Sequence, residues 1–314
     1  MTALVTFGET MAVLAADRPG PLASGTSLRL GFAGAEATVA IGVSRLGHAA
    51  SWTGRVGADS AGTMILDGLR GEGVDVTRAR VDDTAPTGLM LRERRTPDHT
   101  RVTYYRRGLA GSRLDPEDID PELVARARVL HVTGITPALG EGPRAAVRRA
   151  VDLARAAGVT VSLDLNYRAR LWNREEAGAE LTHLVTGADI VFAGPEEASL
   201  VVPEADDPAA MARDLLDLGP REAVLKLGAR GAVAVTHGGE AVQDIVPVTP
   251  VDPIGAGDAF VAGYLAGLLD GTDLPGRLLL AATCGAFAVA SPGDWEGLPR
   301  RAELDLLNGA DVTR

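Results

Sequence analysis

Cysteine and lysine are almost missing from this sequence of 314 residues. The single cysteine, Cys284, excludes a disulfide framework and any cysteine-based zinc site. Lys226 is the one lysine, so the remaining basic residues are all arginine. The formal net charge of −11 opposes general binding to nucleic acid or to an anionic membrane, whose phosphates would be repelled. An anionic ligand must therefore be held by local arginine side chains or backbone amides.

Three common catalytic motifs are also absent. A Walker A loop needs Gly-Lys-Ser/Thr, and the only lysine follows Leu225. None of the five histidines precedes a glutamate, and no serine lies in G-x-S-x-G, which excludes H-E-x-x-H zinc chemistry and the usual hydrolase elbow.

No basic leader segment precedes the first apolar run, and the longest uncharged stretch, between Arg277 and Asp294, contains Gly, Ser and Pro. We therefore expect a cytoplasmic protein without membrane contact.

Short apolar runs alternate with helical patterns along most of the chain. This alternation predicts an α/β fold in which helices cover both faces of a parallel sheet. Ligands on such a sheet bind beyond the carboxyl ends of the strands. The predicted strands are 4–9, 127–135, 158–166, 188–194 and 222–228, and the predicted helices are 143–158, 173–187 and 207–219.

Two regions interrupt the alternation. Residues 10–33 lack helical periodicity, and residues 87–108 read as two strands around the polar Pro97-Asp98 turn. We expect these segments to form a small β lid on a large α/β domain made of about 1–9, 34–86 and 109–314. Such a lid would cover the ligand crevice.

Gly255, Ala256, Gly257 and Asp258 form a turn that leads into a long helix. Glycine allows the backbone to come close to a ligand, and the first amides of a helix lack helical acceptors, so the turn is a candidate anion hole. A carboxylate there could take a proton from an attacking hydroxyl while the amides stabilise a transferring phosphoryl group. The alternative is that Asp258 merely stabilises the helix N-terminus.

The window from Val251 to Leu268 resembles the second signature of the PfkB (ribokinase-like) carbohydrate kinases, D-T-x-G-A-G-D-x-F, with Pro253 at the threonine position. The resemblance implies a three-layer sandwich with a mostly parallel central sheet and a small β-sheet lid. It implies ATP and Mg²⁺ as cofactors, Asp258 as the catalytic base, and an anion hole made by the amides of residues 255–258. Relatives often form dimers through their lids and some respond to potassium, so we expect a homodimer or higher homo-oligomer and allow for K⁺.

Three further segments resemble parts of the same family. Residues 31–40 resemble the sugar-contacting signature G-G-A-E-x-N-x-A, with Gly34 retained and Thr38 at the asparagine position. Residues 189–198 match the N-x-x-E region, which places Glu197 near magnesium through water, with Gly194 where the asparagine stands. The K-x-G-x-x-G segment that lines the nucleotide site in relatives corresponds to Lys226, Gly228 and Gly231, with Gly257 contributing from the turn. Each also has a plain structural explanation, as a loop, a surface helix residue or a strand end.

Two strings resemble the 2-keto-3-deoxygluconate kinases within this family. Residues 101–107 carry Y-Y-R and residues 164–172 carry D-x-N-x-R-x-x-L-W, which implies that Tyr104, Arg106 and Arg168 bind a sugar acid. Guanidinium groups pair well with a carboxylate. Met90 stands where these relatives tend to have tyrosine, so one hydroxyl contact is expected to be missing.

The sequence thus predicts ATP-dependent phosphorylation of a primary hydroxyl, with 2-keto-3-deoxygluconate as the preferred substrate. A kinase for fructose or another neutral sugar is the alternative within the class. A regulator that binds sugar or nucleotide without turnover is the alternative from another class.

Overall fold

The computed structural model describes residues 2–96 and 99–307. The strands in this part of the chain are short and mostly apolar. They are β1 (Leu4–Phe7), β2 (Met11–Ala16), β3 (Leu28–Ala33), β4 (Ala50–Thr53), β5 (Arg55–Gly57), β6 (Arg80–Asp82), β7 (Leu89–Thr96), β8 (His99–Tyr105), β9 (Val129–Thr133), β10 (Thr160–Asp164), β11 (Ile190–Ala193), β12 (Glu222–Lys226), β13 (Ala232–Thr236) and β14 (Gly239–Gln243).

The helices between them begin and end at recognisable residues. The helices are α1 (Ala35–Arg45), α2 (Ser60–Gly71), α3 (Pro121–Ala125), α4 (Glu141–Ala157), α5 (Arg174–Val185), α6 (Pro195–Ala198), α7 (Pro208–Asp217), α8 (Ala256–Asp270) and α9 (Leu274–Val289). Gly158 ends α4 in the left-handed conformation, and Asp207 caps the first turn of α7 just before Pro208.

The main sheet has the strand order β14-β13-β12-β11-β10-β9-β1-β4. In this sheet β4, β1, β9, β10, β11 and β12 pair in parallel, with Leu4 opposite both Ala50 and Val129. The last three strands, β12, β13 and β14, pair antiparallel. The predicted mostly parallel α/β fold is confirmed. The parallel carboxyl ends lie at one edge, so the residues that follow β1, β9, β10, β11 and β12 are brought together there.

Two hydrophobic layers cover the sheet. Side chains alternate between the faces of each strand, so Val5 belongs to the layer with α4, α5 and α7 whereas Leu4 belongs to the layer with α1, α2, α8 and α9. Burial of each large aliphatic side chain is worth roughly 1.5–3 kcal/mol before conformational entropy is subtracted. The helices are therefore fixed to the sheet mainly by apolar contact, which gives the site at its edge a rigid base.

A separate four-stranded sheet has the order β3-β2-β7-β8. It draws its strands from residues 11–33 and 89–105, and one side carries the small apolar cluster of Met11, Val13, Ala33 and Met90. The Pro97-Asp98 turn predicted between β7 and β8 lies outside the described residues. In the part of the chain that the structure describes, every helix is too short or too polar to span a bilayer.

Candidate active site

The carboxyl ends of neighbouring parallel strands gather the polar residues of the site. Asp164 is the last residue of β10, Lys226 is the last residue of β12, and Glu197 lies just beyond β11. Asn166 and Arg168 follow β10 in the same loop. Charged and amide side chains therefore line the edge of the sheet at which the sequence predicts the ligand crevice.

The turn at residues 255–258 forms the first turn of α8. Gly255 has φ 76°, and a side chain there would collide with the backbone carbonyl of Asp294. Glycine is required for both reasons, left-handed backbone and close approach. The amide of Ala256 donates to the carbonyl of Pro253 with an N–O distance of 3.3 Å, so it is already engaged. The amides of Gly257 and Asp258 are those that a first helical turn leaves for an anion.

Asp258 is half-buried beside this turn, and its Oδ1 accepts a hydrogen bond of 3.4 Å from the amide of Asn166. Burial and the carboxylate of Asp164 together raise the pKa of Asp258 to about 7, although Lys226 and Arg168 oppose this shift. A carboxyl group with a pKa near 7 can exchange a proton with a hydroxyl at neutral pH. Asn166 itself has φ 39°, a left-handed conformation that is uncommon outside glycine.

Lys226 interacts electrostatically with three carboxylates, those of Asp164, Glu197 and Asp258. Its Nζ donates to Oδ2 of the buried Asp164 at 2.6 Å. Burial alone would lower the pKa of Lys226, but Asp164 and Glu197 outweigh it and the pKa is raised. Lys226 Nζ also lies 3.7 Å from where a side chain on Gly257 would begin. The ammonium group is thus held against the backbone of the anion-hole turn.

Glu197 has a structural task in addition to its place near the site. Its Oε2 accepts a 2.7 Å hydrogen bond from the amide of Gly194 and so caps α6. Burial raises the pKa of Glu197, with Asp164 acting in the same direction and Lys226 against it. The side chain therefore faces the Asp164–Lys226 pair.

These residues fit magnesium bound together with nucleotide phosphates. Oδ1 of Asp164 is buried without a hydrogen-bond partner, and Glu197 supplies a second carboxylate close by. Within residues 2–96 and 99–307, no group of three or more His, Cys, Asp or Glu side chains is arranged to hold a metal alone. Magnesium prefers oxygen ligands and keeps several waters and phosphate oxygens in its shell, so the carboxylates of Asp164 and Glu197 suit it chemically.

Gly228 and Gly231 shape the turn that follows Lys226. Their φ angles are 59° and 82°, and a side chain on Gly231 would strike the backbone at Gln243. The structure thus explains both glycines by the geometry of the turn that leads from β12 to β13, next to the lysine.

The predicted sugar-binding residues lie on the lid side of the crevice. Gly34 precedes α1, and a side chain there would come within 2.6 Å of the carbonyl of Glu9. Thr38 is fully enclosed within α1, and its hydroxyl has no hydrogen-bond partner in the described chain. Gly34 therefore keeps the backbone close at this point, whereas a sugar would reach the Thr38 hydroxyl only after local rearrangement.

Tyr104 lies at the end of β8, Arg106 follows that strand, and Arg168 lies in the loop after β10. The guanidinium carbon of Arg106 is 5.4 Å from the centre of the Tyr104 ring. Arg106 also forms an ion pair with Glu9, which is not among the site residues predicted from the sequence. Arg168 is exposed, and its positive charge opposes the rise in the pKa of both Asp258 and Glu197. Met90 pairs with Tyr104 across the lid strands and is buried.

A cavity of about 430 Å³ lies between the lid and the segments 250–254 and 292–296, next to the Asp258 turn rather than around it. At its wall, Arg92 of the lid donates to Oδ2 of Asp294 at 2.6 Å. Burial raises the pKa of Asp294, and Arg92 opposes this. This pair, Asp164 and Asn166 are not among the site residues predicted from the sequence, although the position of Asp164 at the end of a predicted strand indicates such a role.

The chain is similar to known carbohydrate kinases in both sequence and fold. The model of the pfkB family of carbohydrate kinases matches residues 1–301. The chain is 38% identical to 2-dehydro-3-deoxygluconokinases from Thermoproteus tenax and from Bacillus subtilis, in each case over 98% of this chain and over 94% and 96% of those proteins. A putative ribokinase II from E. coli, solved in complex with ATP and Mg²⁺, superposes with a TM-score of 0.91 at 25% identity and covers 98% of this chain and 99% of that one.

The chain belongs to the pfkB family of carbohydrate kinases. It is an ATP-dependent carbohydrate kinase with the ribokinase-like fold, and these two predictions from the sequence are confirmed. Family membership also decides between a kinase and a regulator without turnover, in favour of the kinase.

Proposed function

We propose that this kinase phosphorylates 2-keto-3-deoxygluconate, also called 2-dehydro-3-deoxygluconate, at its primary C6 hydroxyl. The observation that carries the proposal is the position of the Asp258 carboxyl group, beside the open amides of a helix N-terminus and near Lys226, where burial raises its pKa to about 7. The substrate named for two relatives at 38% identity supports the choice of a sugar acid.

In the proposed reaction Asp258 takes the proton of the sugar hydroxyl as its oxygen attacks the γ-phosphorus of ATP. The new oxygen–phosphorus bond forms while the bond between the γ-phosphorus and the bridging oxygen breaks, and ADP leaves with that electron pair. The amides of Gly257 and Asp258 donate to the transferring phosphoryl group, and Lys226 adds positive charge beside them. Magnesium, when bound, neutralises phosphate charge, with Asp164 and Glu197 as the residues that would hold it through water.

At the other end of the substrate, Arg106, Tyr104 and Arg168 bind the carboxylate and neighbouring oxygens. Guanidinium groups form paired, charge-assisted hydrogen bonds with a carboxylate, which an overall acidic protein otherwise lacks. Gly34 lets the backbone at Glu9 pack against the start of α1, and Thr38 contributes its hydroxyl after a local rearrangement exposes it. The small sheet acts as a lid that excludes water when both substrates are bound.

The test is a panel of sugars assayed with purified protein and Mg-ATP through release of ADP. We expect kcat/KM for 2-keto-3-deoxygluconate to exceed that for fructose and other neutral sugars by about 100-fold or more, because a neutral sugar leaves guanidinium donors without the carboxylate that they pair with. Comparable values for fructose would contradict the proposal and favour a neutral-sugar kinase. The 2-keto-3-deoxygalactonate epimer tests how strictly the hydroxyls are read.

Assembly, ion dependence and location complete the proposal. We propose a homodimer that forms through the lids, stimulation by potassium, and a cytoplasmic location. Light scattering after gel filtration measures the first, and replacement of K⁺ by Na⁺ in the assay measures the second. A monomer at micromolar concentration, or equal rates in the two salts, would contradict these points without affecting the reaction itself.

A further inference from the structure

Glu9 occupies the joint where the lid meets the body. Strand β2 begins two residues after it, β3 ends just before Gly34, β7 begins just after Gly88, and β8 ends just before Arg106. A side chain at Gly111 would run into the Glu9 side chain, one at Gly88 would collide with Met11 and crowd Glu9, and Gly34 lies against the Glu9 carbonyl. Glu9 is therefore surrounded by glycine positions at the point where both lid segments leave the body.

The Glu9 carboxylate forms an ion pair with Arg106 across this joint. The side chains of Glu9 and Arg106 are 1% and 11% exposed, so both are largely removed from solvent. Burial raises the pKa of Glu9, while Arg106 opposes this and the nearby Glu36 adds to it. An unpaired charge in such a place would be costly, so each group constrains the position of the other.

The pair leaves part of the Arg106 guanidinium group unused. Its Nε is buried and has no hydrogen-bond partner in the described part of the chain. Its planar group lies 5.4 Å from the centre of the Tyr104 ring. Arginine presents its donors as a rigid fork, so fixing one edge against Glu9 also fixes the direction of the others.

We propose that Glu9 is the positioning residue that aims Arg106 at the carboxylate of the sugar acid. The inference rests on the proposed function, in which Arg106 binds that carboxylate. A long arginine side chain that is already ordered loses less conformational entropy when the substrate arrives. Glu9 lies on the body and Arg106 on the lid, so the same contact sets where the lid places the acid end of the substrate.

Two substitutions separate reach from charge. Glu9→Asp keeps the negative charge but shortens the side chain by one methylene, so the carboxylate no longer reaches Arg106. Glu9→Gln keeps the length and an oxygen that can accept from Arg106, but removes the charge. If position is what matters, the aspartate variant is the damaging one. If Glu9 acts only through its charge, the glutamine variant is the damaging one.

The experiment measures kcat and KM for 2-keto-3-deoxygluconate at pH 8 and saturating Mg-ATP, in the wild-type and Arg106→Ala backgrounds. For Glu9→Asp we expect KM to rise about tenfold with kcat within about threefold, because one charge-assisted contact is misplaced. For Glu9→Gln we expect KM within about threefold of the wild type. In the Arg106→Ala background we expect neither variant to change KM by more than about twofold, since a residue that acts through Arg106 has nothing left to act on.

Several results would overturn the inference. One is a Glu9→Asp effect of the same size with and without Arg106, which is what a general structural role produces. Others are a Glu9→Gln effect as large as that of Glu9→Asp, or wild-type behaviour of Glu9→Asp. Should Glu9→Asp not fold, as judged by circular dichroism and melting temperature, Glu9→Ala is compared in the same two backgrounds with the same expectation.

The outcome also distinguishes this inference from the proposed function. Absence of turnover with any sugar acid overturns the proposed function, and the inference with it. Normal turnover with an unchanged KM in Arg106→Ala overturns the Arg106 contact and the role of Glu9 while leaving the kinase reaction in place. A raised KM in Arg106→Ala together with an additive Glu9→Asp effect overturns the role of Glu9 alone.

Discussion

The two ends of the crevice differ in which groups form them and in how firmly those groups are held. At the phosphoryl end, main-chain amides of α8 and buried charges such as Asp164 and Lys226 are fixed by the rigid α/β body. At the proposed acid end, the side chains that we propose as ligands of the substrate lie at the edge of a thin sheet, and Tyr104 is 38% exposed. The comparison indicates that the chemical step depends on the body and that the choice of substrate depends on the lid. Changes at the first end should alter kcat, and changes at the second should alter KM.

The largest expected effect tests the phosphoryl end. Asp258→Asn should lower kcat by roughly 10²–10⁴-fold, the usual contribution of a positioned acid–base group, while KM for the sugar acid changes little. Asparagine preserves the shape but cannot take the proton. Stopped assays over hours measure the residual rate. Activity near the wild-type level would mean that Asp258 only stabilises the helix.

The next effect tests the acid end. Arg106→Ala should raise KM for 2-keto-3-deoxygluconate about 10- to 100-fold, the loss expected when a charged group gives up its hydrogen bonds, with kcat within about threefold. Arg107→Ala is the matched control, because this neighbouring arginine is exposed. Equal effects of the two substitutions would show that only the general positive charge of the lid matters.

The third effect is on the pH profile. Because the pKa of Asp258 is raised to about 7, kcat/KM should fall about tenfold for each pH unit below that value, as the base becomes protonated. Above pH 8 the rate should level off. The residual rate of Asp258→Asn, measured over the same range, should lack this limb. A wild-type profile that stays flat down to pH 5 would contradict the assignment of the base.

The fourth effect tests the backbone of the turn. Gly255→Ala should destabilise the protein by about 1–3 kcal/mol or more and lower kcat, because left-handed strain is joined by a collision with the carbonyl of Asp294. Gly271→Ala, at the other end of α8, has the same φ of 76° with open space around it, so it should show only the strain. Chemical denaturation measures both, and equal losses would exclude the collision.

The smallest effect is on stability. A carboxyl group whose pKa is raised in the folded protein binds its proton more tightly there, so folding loses free energy as pH rises from the ordinary value of 3.8 through 7. Asp258→Asn removes this loss and should raise the free energy of unfolding at pH 8 by on the order of 1 kcal/mol, a few degrees in melting temperature. Below pH 4 the two proteins should melt alike, and a less stable variant at pH 8 would contradict the raised pKa.

The fold and the turn at the start of α8 could be predicted from the sequence for physical reasons. Buried parallel strands require apolar runs, and the turn at Gly255 requires glycine, so both leave a local signature. The predicted strand at 4–9 ends earlier, at Phe7, because Gly8 and Glu9 already belong to the joint with the lid.

The contacts between lid and body could not be predicted in this way. Arg92 and Asp294 are separated by 202 residues, and in an arginine-rich sequence no single arginine indicates its partner. The same holds for Arg106 and Glu9. Their pairing is decided by how β7 and β8 are placed against the body, which depends on tertiary packing rather than on spacing along the chain.

The glycine positions around Glu9 have a consequence for the choice of substrate. The chain leaves the body after Glu9 and returns at Gly34, then leaves again at Gly88 and returns at Arg106, and all of these points lie around one residue, Glu9. Each lid segment therefore begins and ends at neighbouring points of the body. Grafting a different segment between these borders should change the acceptor while the turn at the start of α8 stays in place.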